Sequence, residues 1–355
     1  MGTVHENNGC VIKTSTTNPE TSPALRLERS PPRPSGKPLK TAECASGQGV
    51  AHCGDGSDPY APMSQYLLET RPCQLILRAN EVTSFIAWVG VDQRAPSSLY
   101  LASDSRISWE ARVGWNLGRK LFASGNSPDV FGYVGDVLFP SLVLGQIIAT
   151  IDAGALFPPA TDGHTRCEYV ERVLKDSFME WPNKERRPFT VIYGTRKNDG
   201  MKSEFELYAI SWMVSKEWVT TKYPVPSISS HLLIQGSGNV AIERWQARWQ
   251  ASSQGNTSRA VFSGFCDALQ SGEDPRTGGP PQLVALYRRG PGINVGVVSN
   301  AIGYILGRPV NPEVAAAQPN LKWTNSLFEI CDFHGRRLTD AQKHHAPKGL
   351  GSSLR

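Results

Sequence analysis

The stretch TSFIAWVGVDQRAPSSLYLASDSRISWEARVGWNLGRKLF, residues 83–122, decides how the rest of this chain is read. Its apolar and β-branched runs predict two strands, over residues 84–91 and 98–103. An Asp-Ser-Arg turn follows at Asp104, and a basic Gly-Arg-Lys-Leu-Phe segment enters a third strand. Three side chains fall at the ends of these elements: Thr83 opens the first strand, Asp104 ends the second, and Lys120 comes sixteen residues after Asp104. A chain starting at Thr83 would bring a hydroxyl, its own α-amine, a lysine and a carboxylate to one edge of a sheet. Those are the parts of a site in which an amino-terminal threonine is the nucleophile and its amine the base.

On these residues the chain resembles the β subunits of proteasomes and their bacterial relatives, the N-terminal nucleophile (Ntn) hydrolases. The matching stretches are Thr83-Ser84-Phe85-Ile86-Ala87, then Leu101-Ala102-Ser103-Asp104-Ser105-Arg106, then Lys120-Leu121. The Asp-to-Lys interval equals that of the family, and the loop over residues 91–97 is a few residues longer, an insertion a hairpin tolerates. Further along, the resemblance implies roles for four more positions. Gly132, in the strand PDVFGYVGD, takes the place of the glycine whose N–H forms the oxyanion hole. Ser237, within Gly236-Ser237-Gly238 at a strand-to-helix junction, falls beside the nucleophile. Asp274 and Thr277, in DPRTGG, stand where the family has an aspartate and a serine supporting the terminal amine. Read alone, each of these is an ordinary turn; Gly for its dihedrals and Ser as a helix cap are their commoner meanings.

The rest of the chain bounds the reading. With 355 residues and 39% hydrophobic content it can bury a large core. A formal charge of +5 without a long basic block does not point to nucleic acid. The most apolar run, residues 137–151, is too short to span a membrane and contains Pro140 and Gln146. Seven scattered cysteines without a CxxC pair argue against a disulfide framework and for a reducing, cytoplasmic compartment. No cofactor or metal is expected: Cys44, His52, Cys53 and Cys73 have none of the usual ligand spacings, and His344 and His345 lack partners nearby.

Residues 1–82 are rich in Pro, Ser, Thr and Gly without periodicity, and are expected to be a disordered extension. A free amine on Thr83 requires their absence from the active form. Val82 is a poor fit to the tight turn of self-cleavage, so a start at the Val82 codon is the simpler expectation, and processing of a precursor the other. Helices are predicted over residues 137–150, 164–181, 239–250 and 258–271, and strands over 187–196, 204–212, 216–223, 231–236, 282–288 and 293–299. Beyond Gly307 the pattern fades into an irregular tail, leaving residues 83–307 as the catalytic domain.

The order of elements fits an α+β fold, the four-layer αββα sandwich of Ntn hydrolases. The implied activity is hydrolysis of an amide in a peptide or protein substrate. A small-molecule or cell-wall amidase and a non-catalytic assembly module are the alternatives. The resemblance also implies a homo-oligomeric ring, with apolar faces on residues 137–150 and 258–271 available for its contacts.

Overall fold

The computed structural model describes residues 82–343 apart from 111–112, 184–185, 214, 317 and 319–320. The chain divides into two units, residues 1–68 and 69–355, and the described residues all belong to the second. The expected disordered extension, with Cys44, His52, Cys53 and Cys73, and the tail beyond Lys343, with His344 and His345, lie outside the described residues.

In chain order the elements are β1 (Phe85–Val91), β2 (Pro96–Ser103), β3 (Ile107–Glu110), β4 (Val113–Trp115), β5 (Leu121–Ala123), β6 (Asp129–Gly135), α1 (Leu138–Asp152) and α2 (Gly163–Met179). Then come β7 (Phe189–Lys197), β8 (Glu204–Trp212), β9 (Trp218–Tyr223), β10 (Ser230–Gln235), α3 (Asn239–Gln250) and α4 (Ser258–Ser271). The last are β11 (Gln282–Tyr287), β12 (Ile293–Ser299), β13 (Ile302–Ile305), β14 (Arg308–Pro309), α5 (Pro312–Ala316), β15 (Trp323–Thr324) and β16 (Ile330–Cys331). One sheet runs β10-β1-β2-β11-β12-β13-β14, with β15 joined to β12 and β16 to β15; a second runs β5-β6-β7-β8-β9. Pairing is antiparallel throughout except between β12 and β15.

The central strands are apolar on both faces, and their alternation assigns each side chain to one core or another. On β1, Phe85 and Ala87 join Leu99, Leu101, Val284 and Leu286 in a core shared with Leu121, Val130 and Val134 of the second sheet. The intervening Ile86 and Trp88 join Tyr100, Ala102, Leu283 and Ala285 against Ile242, Val261, Phe262 and Phe265 of α3 and α4. On β6 the same alternation sends Phe131 and Tyr133 the other way, to Val143, Ile147, Val170 and Leu174 of α1 and α2. Helix ends follow local chemistry: Asp162 caps α2 by accepting from Thr165 N–H, Thr257 caps α4 by accepting from Ala260 N–H, and Gly272 ends α4 in the left-handed conformation.

Three features depart from expectation. Residues 104–120 are more than a turn: β3 and β4 form a separate two-stranded ribbon that exposes Trp109, Val113, Trp115 and Leu117. The apolar face expected on α4 for assembly is not free, because every residue from Arg259 to Ala268 is buried. Helix α1 does leave Leu138 and Leu142 about half exposed. Downstream of Gly307 the elements are short, yet the segment is anchored. Trp323 is buried with Val298, Ala315 and Cys331, and Gly296 N–H donates to Lys322 C=O at 2.8 Å.

Candidate active site

The antiparallel pairing of β1 with β2 sets Phe85 opposite Ser103, so the residue before one strand and the residue after the other emerge side by side. Two hydrogen bonds lock that junction: Asp104 N–H donates to Ser84 C=O at 3.1 Å, and Ser84 N–H donates to Asp104 Oδ1 at 3.0 Å. Lys120, the residue preceding β5, reaches in from the second sheet. Its Nζ lies 2.6 Å from Asp104 Oδ1 and 3.3 Å from Thr83 Oγ1. All three side chains are fully buried.

Burial of two opposite charges is tolerated only when every polar atom is satisfied. Asp104 meets that condition: Oδ2 accepts from Arg106 N–H at 3.1 Å and Gly278 N–H at 3.0 Å, while Oδ1 takes the Ser84 and Lys120 donors. Burial pulls the Lys120 ammonium below the ordinary lysine range, and the Asp104 carboxylate opposes that fall. Arg106 pushes in the direction of burial, and the charge of Asp274 in the direction of Asp104.

The Gly236-Ser237-Gly238 turn wraps the start of β1. Thr83 N–H donates to Ser237 Oγ at 3.4 Å, and Gly238 N–H donates to Thr83 C=O at 3.3 Å. Gly236 is needed for the approach, because a Cβ there, at a φ of +93°, would run into Thr83 C=O; one on Gly238 would displace the Ser84 hydroxyl.

The Asp274–Gly278 turn is joined to the site less directly. Asp274 Oδ1 accepts from Arg276 N–H at 3.0 Å, and Thr277 Oγ1 donates to Asp274 C=O at 3.3 Å, so the threonine hydroxyl closes its own turn. Among the described residues Asp274 Oδ2 has no hydrogen-bond partner, and it is buried. The contact that ties this turn to Asp104 comes from the backbone of Gly278, a residue that the sequence reading passed over.

Gly132 does not suit the oxyanion role expected of it. Arg196 N–H donates to Pro128 C=O, and Asp136 N–H donates to Pro188 C=O. The register between β6 and β7 pairs Gly132 with Ile192, midway between those two bonds. Hydrogen-bonded pairs alternate along an antiparallel ladder, so Gly132 N–H is spent on β7. Its glycine serves packing instead, because a Cβ there would sit 2.5 Å from Phe85 Cε2 and 2.8 Å from Leu121 Cδ2. Gly135 falls on the opposite parity. Its N–H points away from β7 at the end of β6, and β5, whose pairing begins at Leu121↔Gly132, has no residue opposite it. A φ of +94° at the strand end is the structural mark of this position; in the sequence its only sign was a second glycine three residues on.

Among the described residues no group of three or more His, Cys, Asp or Glu is arranged to hold a metal ion. No described helix is long and apolar enough to cross a membrane. No family model and no curated protein matches the chain. Solved structures with a remote likeness include three of the Anbu and HslV kind. Anbu of Yersinia bercovieri is 11% identical with a TM-score of 0.39, the match covering 57% of this chain and 81% of that one. HslV of Trypanosoma brucei is 12% identical with a TM-score of 0.36, covering 57% and 99%. The Anbu complex of Pseudomonas aeruginosa, solved as a helical assembly, is 15% identical with a TM-score of 0.41, covering 59% and 86%.

Proposed function

We propose that the chain is an amidohydrolase that uses Thr83, once its amine is free, as an amino-terminal nucleophile, and that its substrates are peptide bonds. The supporting observation is the buried contact of Lys120 Nζ with both Thr83 Oγ1 and Asp104 Oδ1, made by side chains from three separate elements. Thr83 Oγ attacks the substrate carbonyl while the α-amine, with a reference pKa of about 7.7–8.0, takes the hydroxyl proton directly or through water; that proton passes to the leaving amine as the C–N bond breaks, and water then hydrolyses the ester to free Thr83. Lys120 holds the hydroxyl and stabilises the developing negative charge, and Asp104 keeps Lys120 in place. Ser237 and Asp274, with its spare Oδ2, are the acceptors for the freed amine, and Thr277 holds the Asp274 turn. The oxyanion donor is Gly135 N–H, the one the β-ladder leaves unused.

On this reading the three apolar cores belong to a four-layer αββα arrangement, with residues 1–82 absent from the active form. The chain works in the cytoplasm, where thiols such as the buried Cys167, Cys266 and Cys331 stay reduced. It assembles with further copies through the α1 face bearing Leu138 and Leu142. Light scattering tests that last point, and a fully active monomer refutes it.

Mass spectrometry of the untagged protein, with hydrolysis of peptide-amide reporters, tests the nucleophile. An amino terminus at Thr83, and loss of both hydrolysis and labelling by threonine-directed electrophiles in Thr83→Ala, are expected. An active, folded Thr83→Ala protein overturns the reading. Turnover of small amides without any of peptides would move the substrate class to the amidase alternative.

A further inference from the structure

Gln282, the first residue of β11, is fully buried and carries no charge, yet its carboxamide is the most heavily bonded side chain near the site. Its Oε1 accepts from Lys120 N–H at 3.0 Å and Leu121 N–H at 3.4 Å. Its Nε2 faces Gly118 C=O at 2.7 Å, Ser105 Oγ at 3.0 Å and Asp104 C=O at 3.2 Å. Ser105 Oγ in turn donates to Pro280 C=O at 2.6 Å. One side chain thus clasps the backbone of Asp104, at the end of β2, and that of Lys120, at the entrance to β5 in the other sheet. Only an amide presents an acceptor at one end of so short a group and two donors at the other. A carboxylate would set negative oxygen against the carbonyls of Gly118 and Asp104, and an aliphatic side chain would remove the partner that Lys120 N–H, Leu121 N–H, Gly118 C=O and Asp104 C=O find here, Ser105 Oγ keeping its bond to Pro280.

We propose that Gln282 is the positioning residue of this site, setting the spacing of Lys120 from Asp104 and, through Lys120, from Thr83 Oγ1. None of its hydrogen bonds runs to Thr83, so it acts through the residues it holds. Its kinetic consequence rests on Thr83 being the nucleophile; the positioning itself does not. Lys120 is faced by Asp104 at the end of β2, by Arg106 on the way to β3 and by Asp274 in the turn before β11. Releasing the clasp lets water reach its ammonium and returns it toward the ordinary lysine range.

The test is Gln282→Ala and the uncharged, near-isosteric Gln282→Met in the untagged protein purified from its own host, its amino terminus at Thr83 checked by mass spectrometry. Gln246→Ala, which removes another buried amide, one donating to Val261 C=O, is the control. Two readouts are followed: turnover of a peptide amide, and the titration of Lys120 Nζ by NMR of lysine-labelled protein, assigned by loss of its signal in Lys120→Arg. Both Gln282 variants are expected to lower kcat roughly 10²-fold, the cost of misplacing reacting groups by about an ångström, and to raise the Lys120 midpoint, while Gln246→Ala does neither. Should Gln282→Ala fail to fold, the uncharged, near-isosteric Gln282→Met decides. A folded Gln282 variant with an unmoved Lys120 midpoint and unchanged turnover overturns the proposal. If the wild-type chain cleaves no peptide amide, the nucleophile reading falls, while a shifted Lys120 midpoint still upholds the clasp and an unshifted one still refutes it.

Discussion

Asp104→Asn probes the buried pair with the least change in shape. All four groups that Asp104 accepts from are donors: the N–H groups of Ser84, Arg106 and Gly278, and the Lys120 ammonium. An asparagine can turn its single oxygen toward one pair only, leaving its own N–H₂ facing the other two donors. Whichever way it turns, Lys120 keeps its burial and loses its counter-charge. Breaking a buried ion pair from one side costs about 3–5 kcal/mol, which for a unit of this size lowers Tm by roughly 6–20 °C. The pH dependence has a definite sign. Asp104 raises the pKa of Lys120 against the dominant effect of burial, so its removal lowers that pKa further. The unfolded variant then binds a proton that the folded one lacks over a wider window, reaching up to the unfolded lysine value of about 10.4, and stability rises with pH across it. The deficit of the variant relative to wild type is therefore full below the variant's folded Lys120 pKa, shrinks between that pKa and the higher one of the folded wild type, and is constant above it, where both folded proteins hold Lys120 neutral. Urea unfolding between neutral and alkaline pH, with the Lys120 NMR titration, measures both. A loss below about 1 kcal/mol at neutral pH, or a Lys120 midpoint that rises, would refute the reasoning.

Gly236→Ala should cost at least the roughly 1–3 kcal/mol of a residue forced into positive φ, since its Cβ also meets Thr83 C=O; thermal unfolding checks it, and an unchanged Tm would mean that the turn around Thr83 is looser than described. Trp323→Ala removes the anchor of the segment after Gly307 and should cost about 3–5 kcal/mol, read from the urea midpoint; a loss within 0.5 kcal/mol, as at an ordinary surface site, would show that the anchor does not bear on stability. Arg276→Ala frees Asp274 Oδ1 of its guanidinium but keeps the backbone donor, and being a part-exposed pair it should change stability by no more than about 1 kcal/mol. A larger loss in chemical denaturation would assign the Arg276 side chain a further structural role.

Much of the architecture was legible along the chain because it depends on local pattern. The short, continuous apolar run FIAWVG marked β1, and the threes and fours of residues 164–181 marked α2, within a few residues of where the structure sets them. Thr83, Asp104 and Lys120 could be singled out because each closes or opens such an element. What the sequence could not carry was the partner of any group. Whether Gly132 or Gly135 has a free N–H depends on the parity of hydrogen bonds with β7, a strand more than fifty residues later. That α4 is enclosed depends on α3 and the sheet beneath it, and that the last segment is anchored depends on one tryptophan finding Val298, Ala315 and Cys331. Gln282 lay unremarked in an apolar run because nothing next to it in the chain needs an amide. The groups it satisfies are brought to it only when the two sheets meet, at sequence separations of more than 160 residues. Periodicity along one element reports which face is buried, whereas hydrogen-bond satisfaction is a property of the assembled interior, and it was the tertiary structure that decided it.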